Sequence, residues 1–178
     1  MAFVTGTCPD TMNQPNSATA ISAEDLEPGL SRSFTRRITQ DDARVYAAVS
    51  GDSNPVHLDP AYAASTPFGK PVLHGMFLGS LISALIANHL PGPGSIYRSQ
   101  SLRFHKAVYP GDELRVSATV ENFRQRSGLL KLDCEISNQN GETVLSGAAE
   151  VVFTAPAESA SSENELAISI NGEPYQHG

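Results

Sequence analysis

Leu30, Phe34 and Ile38 fall on one side of an alternating segment whose other side carries Ser31, Ser33 and Thr35, the period-two pattern of a strand. Thr39 then caps a helix, with Asp42 three residues on in place of the Glu of a capping box. That helix runs through Val45, Tyr46 and Val49 and stops at Gly51. Residues 52–59 read as loop, after which Asp59 before Pro60 starts a short helix, the carboxylate capping and the proline fitting the first turn.

The segment 76–89 carries no charged residue anywhere on its circumference, the signature of a helix surrounded by protein. Pro91-Gly92-Pro93-Gly94 ends it, and the rhythm then becomes that of strands over 96–105, 113–123, 128–137 and 143–153. Leu114, Val116, Ala118 and Val120 alternate in one, and Leu130, Leu132, Cys134 and Ile136 in the next, while Pro110-Gly111-Asp112 and Asn140-Gly141 are turn signals. One strand, a long apolar helix and four or more alternating strands predict an α+β domain, a curved antiparallel sheet wrapped around the helix.

Both ends lack this order. Residues 1–22 are rich in Thr, Ser, Ala, Asn and Pro and cannot bury enough surface to offset the entropy of ordering, so they read as a flexible leader. Residues 156–178 form a polar tail in which only 166–170 offers a short strand-like run. The expected folded domain is 23–155, a single core, consistent with 178 residues in all.

Composition narrows the partners. A net charge of -7 with only 12 Lys and Arg argues against nucleic acid or an anionic membrane, though not against a small charged ligand met by a local basic patch. Cys8 lies in the leader and Cys134 reads as a small core residue, so no disulfide framework follows. The N-terminus has no basic region followed by an apolar run, and the apolar stretch 76–90 is shorter than the ~18–20 residues of a membrane span. A cytoplasmic protein without membrane insertion is expected.

Two clusters carry chemistry. Ser50-Gly51-Asp52-Ser53-Asn54-Pro55-Val56-His57 packs a carboxylate, an amide and an imidazole into one segment after a helix. Imidazole titrates near neutrality, and a carboxylate in a partly dry cleft can have its pKa raised, so Asp52 and His57 can exchange protons around one water. The same residues also make ordinary turn formers and a surface histidine, and local chemistry does not choose. His74-Gly75-Met76 follows at the start of the apolar helix, where unpaired N–H groups favour an oxygen that becomes negative and Gly75 permits close approach. His74 itself reads as a satisfied structural histidine. Ser83, seven residues into the helix, either faces a ligand or bonds its own backbone. No HExxH, CxxC pair, GxGxxG, Walker loop or Gly-x-Ser-x-Gly elbow is present, so no metal is expected and nicotinamide, nucleotide and serine-triad chemistries have no motif.

The runs Tyr46-Ala47-Ala48-Val49-Ser50, Gly51 through Asp59, Tyr62-Ala63-Ala64 and Val72-Leu73-His74-Gly75-Met76 together resemble the MaoC-like, R-specific enoyl-CoA hydratases of the hot-dog fold. Leu90 through Tyr97, Gln100-Ser101-Leu102-Arg103-Phe104 and Pro110-Gly111-Asp112 extend the likeness over 26–153. The resemblance implies a hydro-lyase that reversibly adds water to a trans-2-enoyl-CoA to give the R-3-hydroxyacyl-CoA, in fatty acid or polyhydroxyalkanoate metabolism, with no cofactor and as a homodimer. By the same resemblance Asp52 and His57 are catalytic, the Gly75 N–H receives the thioester oxygen, Asn54 fills the amide position of the motif and Ser83 lines the active-site end of the helix. Ile86 shares the helix face of Ser83 one turn further on and is expected to close the acyl pocket, favouring short chains. The rival readings are a hot-dog acyl-CoA thioesterase, disfavoured by the Asp-x-Asn-Pro-x-His spacing, a 3-hydroxyacyl-carrier-protein dehydratase, and a non-catalytic hot-dog subunit.

Overall fold

A computed structural model describes residues 21–153 and the strand pairs Ser169–Ile170 and Glu173–Pro174. The expected leader and tail therefore fall almost wholly outside the described residues, as does Cys8. The 166–170 run contributes Ser169–Ile170, which pairs antiparallel with Glu173–Pro174 as a separate two-stranded sheet. At the other end, Ile21, the first described residue and two before the expected boundary, packs against the core, and its N–H bonds the Pro91 carbonyl at 2.9 Å.

The predicted alternations become a six-stranded antiparallel sheet. Strand β1 (Ser31–Arg37) leads into α1 (Gln40–Ser50), α2 (Pro55–Leu58), α3 (Pro60–Ala64) and α4 (Gly75–Asn88). Then follow β2 (Ser95–Gln100), β3 (Arg103–Phe104), β4 (Glu113–Arg124), β5 (Leu129–Asn138) and β6 (Thr143–Phe153). The sheet order is β1-β4-β5-β6-β2, with β3 also on β6. Leu114, Val116, Ala118 and Val120 of β4 and Leu130, Leu132, Cys134 and Ile136 of β5 are all buried, so the period-two reading placed every one of them on the inner face. Against that face lies α4 with Phe77, Leu78, Leu81, Ile82, Leu85 and Ile86. Burial pushes the Cys134 thiol up to about 12, which leaves it an inert core residue.

Helix α1 starts as its sequence specifies. Thr39 Oγ1 accepts from the Asp42 N–H at 3.2 Å, and Asp42 Oδ2 accepts from the Thr39 N–H at 2.7 Å. The Asp42 carboxylate also pairs with Arg36 of β1, fastening strand to helix. At the other end Gly51 adopts φ 77, a left-handed cap that turns the chain sharply into Asp52.

Three expectations need correction. The stretch 52–59 is not all loop, since Asn54 accepts from the Val56 N–H at 3.3 Å and Pro55 is preset for the first turn, so 55–58 closes one turn of helix. The strand expected over 96–105 is broken into β2 and β3. Between them Ser101 donates its N–H to the Ala148 carbonyl at 2.9 Å and passes so near Gly147 that a Cβ there would lie 1.9 Å from the Ser101 oxygen. Finally, among the described residues α4 is not surrounded on every side: Met76 is 59% exposed, and Ser80 and Ala87 are exposed along the same side. No helix among the described residues is long and apolar enough to cross a membrane.

Candidate active site

The cap at Gly51 and the single turn of α2 bring the first chemical cluster to the start of α4. Asp52 is exposed, with its N–H bonded to Ser50 Oγ at 3.2 Å and its carboxylate accepting from the Asn54 N–H at 3.3 Å. His57, half-buried on α2, places Nδ1 2.8 Å from the Val72 carbonyl. A carbonyl only accepts, so Nδ1 carries a proton and Nε2 is the ring nitrogen left outside that bond.

His74 completes the cluster. It is 1% exposed, stands at the N-cap of α4 without making a capping bond, and donates Nε2–H to the Asp52 backbone carbonyl at 3.0 Å. Its ring stacks on that of His57, with centroids 3.8 Å apart and planes at 30°, and the Tyr46 ring supports it from 5.1 Å. Burial lowers the His74 pKa below the ordinary histidine value, partly opposed by the hydrogen bond to Asp52. Donor atoms of Asp52, His57 and His74 lie within 4.8 Å of one another. The arrangement brings a carboxylate and two imidazoles together at the start of α4.

A cleft of about 420 Å³ opens here, lined by Asn54, His57, Val72, Gly75, Leu78 and Phe104 among others. A side chain at position 75 would meet the Phe104 ring at 3.1 Å, so glycine is what lets the aromatic wall close over the helix start. A second cavity of about 400 Å³ lies further along α4, lined by Tyr46, Met76, Gly79, Ser80, Ser83, Tyr97 and Arg98 among others. There burial and the neighbouring Cys134 raise the Tyr97 phenol to about 12, against a hydrogen bond with Ser83 that lowers it.

The MaoC like domain matches residues 23–138. The chain belongs to the MaoC-like family. Among MaoC-like relatives it is 41% identical over 131 residues to an (R)-specific enoyl-CoA hydratase of Aeromonas caviae, spanning 74% of this chain and 98% of the relative. It is 39% identical over 130 residues to a 3-hydroxybutyryl-CoA dehydratase of Methylorubrum extorquens, spanning 72% and 81%. The structure of an unliganded R-hydratase from Pseudomonas aeruginosa superposes with a TM-score of 0.79 at 42% identity, covering 85% of this chain and 97% of that one. The sheet and its helix are the hot-dog fold.

In this MaoC-like chain the residues singled out from sequence divide by place. Asp52 and His57 stand together, and Asn54 and Gly75 share the cleft with His57. Ser83 lies apart in the second cavity. Ile86 lines neither of the two cavities; it is 1% exposed in the core, one turn beyond Ser83. His74, read from sequence as a structural histidine, is buried and hydrogen-bonded as that reading expects, though its partners are distant in the chain. Its position beside Gly75 at a helix start was the available signal.

Proposed function

We propose that this protein is an R-specific enoyl-CoA hydratase, reversibly adding water to a trans-2-enoyl-CoA. The observation that carries the reading is the meeting of Asp52 and His57 beside the unpaired N-terminus of α4. One water sits between the Asp52 carboxylate and the free Nε2 of His57. One member of the pair takes its proton as the oxygen bonds C3, and a proton is returned to C2 from the same face. The charge that develops on the thioester oxygen meets the Gly75 N–H, where backbone donors and the helix dipole are already oriented. Addition is syn because both groups lie on one side of the substrate. No step calls for a cofactor. Asn54 shapes the cleft beside His57, and the acyl chain runs along α4 past Ser83 toward Ile86.

The working form is a homodimer. Among the described residues strand β2 has only β6 beside it, Ile96 on it is 70% exposed, and Met76 of α4 lies open near Tyr97. A paired edge and a covered apolar surface remove both liabilities. Sedimentation equilibrium at micromolar protein is expected to give twice the chain mass; a clean monomer with full activity contradicts the dimer.

The catalytic reading is tested with crotonyl-CoA, following loss of enoyl absorbance beside release of free thiol. Hydration without thiol release is expected. Thiol release points to a thioesterase, and neither change to a non-catalytic subunit. Crotonyl-carrier-protein run in parallel reports which carrier presents the substrate.

A further inference from the structure

We propose that His74 is a positioning residue for the hydration reaction, holding the Asp52 segment through its Nε2–H and the His57 ring through face-to-face contact. The proposal rests on the hydratase reading and adds to it a residue that touches neither water nor substrate.

The hydrogen bonds around Asp52 make the case. Among the described residues its own N–H and carboxylate bond only to Ser50 and Asn54, each two residues away, and the turn before it is a left-handed glycine. Such local bonds fix the shape of the segment without fixing where it stands relative to the rest of the fold. The long-range tie is the bond from His74 Nε2–H to the Asp52 carbonyl at 3.0 Å. His57 is in a similar position. Its Nδ1–H bond to Val72 leaves rotation about that axis open, and the His74 ring, stacked at 3.8 Å, closes off one side.

His74 is itself held firmly. It is buried, with Tyr46 against its ring, and it immediately precedes Gly75. One side chain thus links the carboxylate segment, the imidazole and the donor of the helix start. A simpler duty as helix cap is ruled out by the absence of any side-chain cap bond, and Nδ1 has no hydrogen-bond partner among the described residues. Burial also keeps the ring neutral, so it does not repel the cation formed when His57 holds the transferred proton.

The test compares two amides of different reach. In His74→Gln the amide nitrogen extends about as far as imidazole Nε2 and can still donate to the Asp52 carbonyl. In His74→Asn it falls short. With crotonyl-CoA, kcat of His74→Asn is expected about tenfold to a hundredfold below that of His74→Gln, with KM within about twofold, the usual cost of misplacing reacting groups by an ångström. Urea midpoints of the two should agree. Equal kcat for the two amides, or losses that track the folded fraction, overturns the proposal and leaves His74 purely structural. Should the amides fail to fold, His74→Phe, which keeps the ring and loses the donor, carries the test: at least about a tenfold loss in kcat at unchanged KM is expected, and activity within about twofold of the parent overturns it. Hydration by the parent protein, run alongside, tests the hydratase reading separately.

Discussion

Ile86→Ala probes the acyl pocket and the core in one substitution. Ile86 is 1% exposed on the stripe of α4 that Met76, Gly79 and Ser83 share with the second cavity, and it stands one turn past Ser83. Truncation removes three buried carbons at ~0.8 kcal/mol each, about 2.4 kcal/mol, and the cavity left behind brings the total to roughly 2–5 kcal/mol of stability. If the stripe is the floor of the acyl pocket, the same space becomes available to substrate. Each extra methylene it accepts is then worth about 1–3 kcal/mol in kcat/KM. The ratio of kcat/KM for eight-carbon over four-carbon enoyl-CoA should accordingly rise by about tenfold or more. Urea unfolding at fixed protein concentration measures the first effect, and initial rates on four-, six-, eight- and ten-carbon substrates measure the second. A stability loss of the stated size with an unchanged length profile refutes the pocket assignment and leaves Ile86 as core alone.

Asp52→Asn and His57→Ala should each lower kcat by about 10²–10⁴, and the double variant little more than the worse single, because the pair acts on one water as a unit; near-normal hydration by either single removes that residue from the mechanism. A chain cut to residues 21–156 should fold and hydrate crotonyl-CoA, whereas one starting at 23 should unfold at lower urea, since it loses Ile21 and its bond to Pro91. Stability should also fall with pH below about 6.5, the value that histidine regains in the unfolded chain. Burial holds His74 and His89 below that value when folded, so the unfolded state binds more protons there and is favoured. A flat urea midpoint between pH 7.5 and 5.5 would contradict this, and His74→Phe should lessen the slope.

What the sequence disclosed, and what it hid, follows from where each signal originates. A strand with one buried face announces itself in its own residues, so Leu114 to Val120 and Leu130 to Ile136 were legible, and so was α1, whose capping box lies within four residues. Asp52, Asn54 and His57 drew notice for the same reason, being close in the chain, although local chemistry left a turn-forming reading open and only the family resemblance assigned them roles. The break between β2 and β3 was not, because it depends on the Ser101 carbonyl lying against Gly147, an encounter set by sheet register. The contacts of His74 were hidden likewise, its bonding partner Asp52 and its stacking partner His57 both lying before α3.

The open side of α4 involves a different kind of limit. An uncharged circumference records that a surface avoids water, whichever chain covers it, and the apolar periodicity of a core helix is the same pattern as that of a helix half-covered by a neighbouring copy. Reading 76–89 as surrounded by protein therefore left open which chain supplies the cover, and the proposed dimer is one source of it. This bears on the chemistry. Asp52 is exposed in the single chain, whereas proton exchange with His57 needs a site from which bulk water is kept away. The residues that lie open along the second cavity, Met76 and Tyr97, are those a second copy would cover. On the proposed dimer, activity should therefore fall as dilution separates the two chains, and activity that is independent of protein concentration down to nanomolar levels would contradict it.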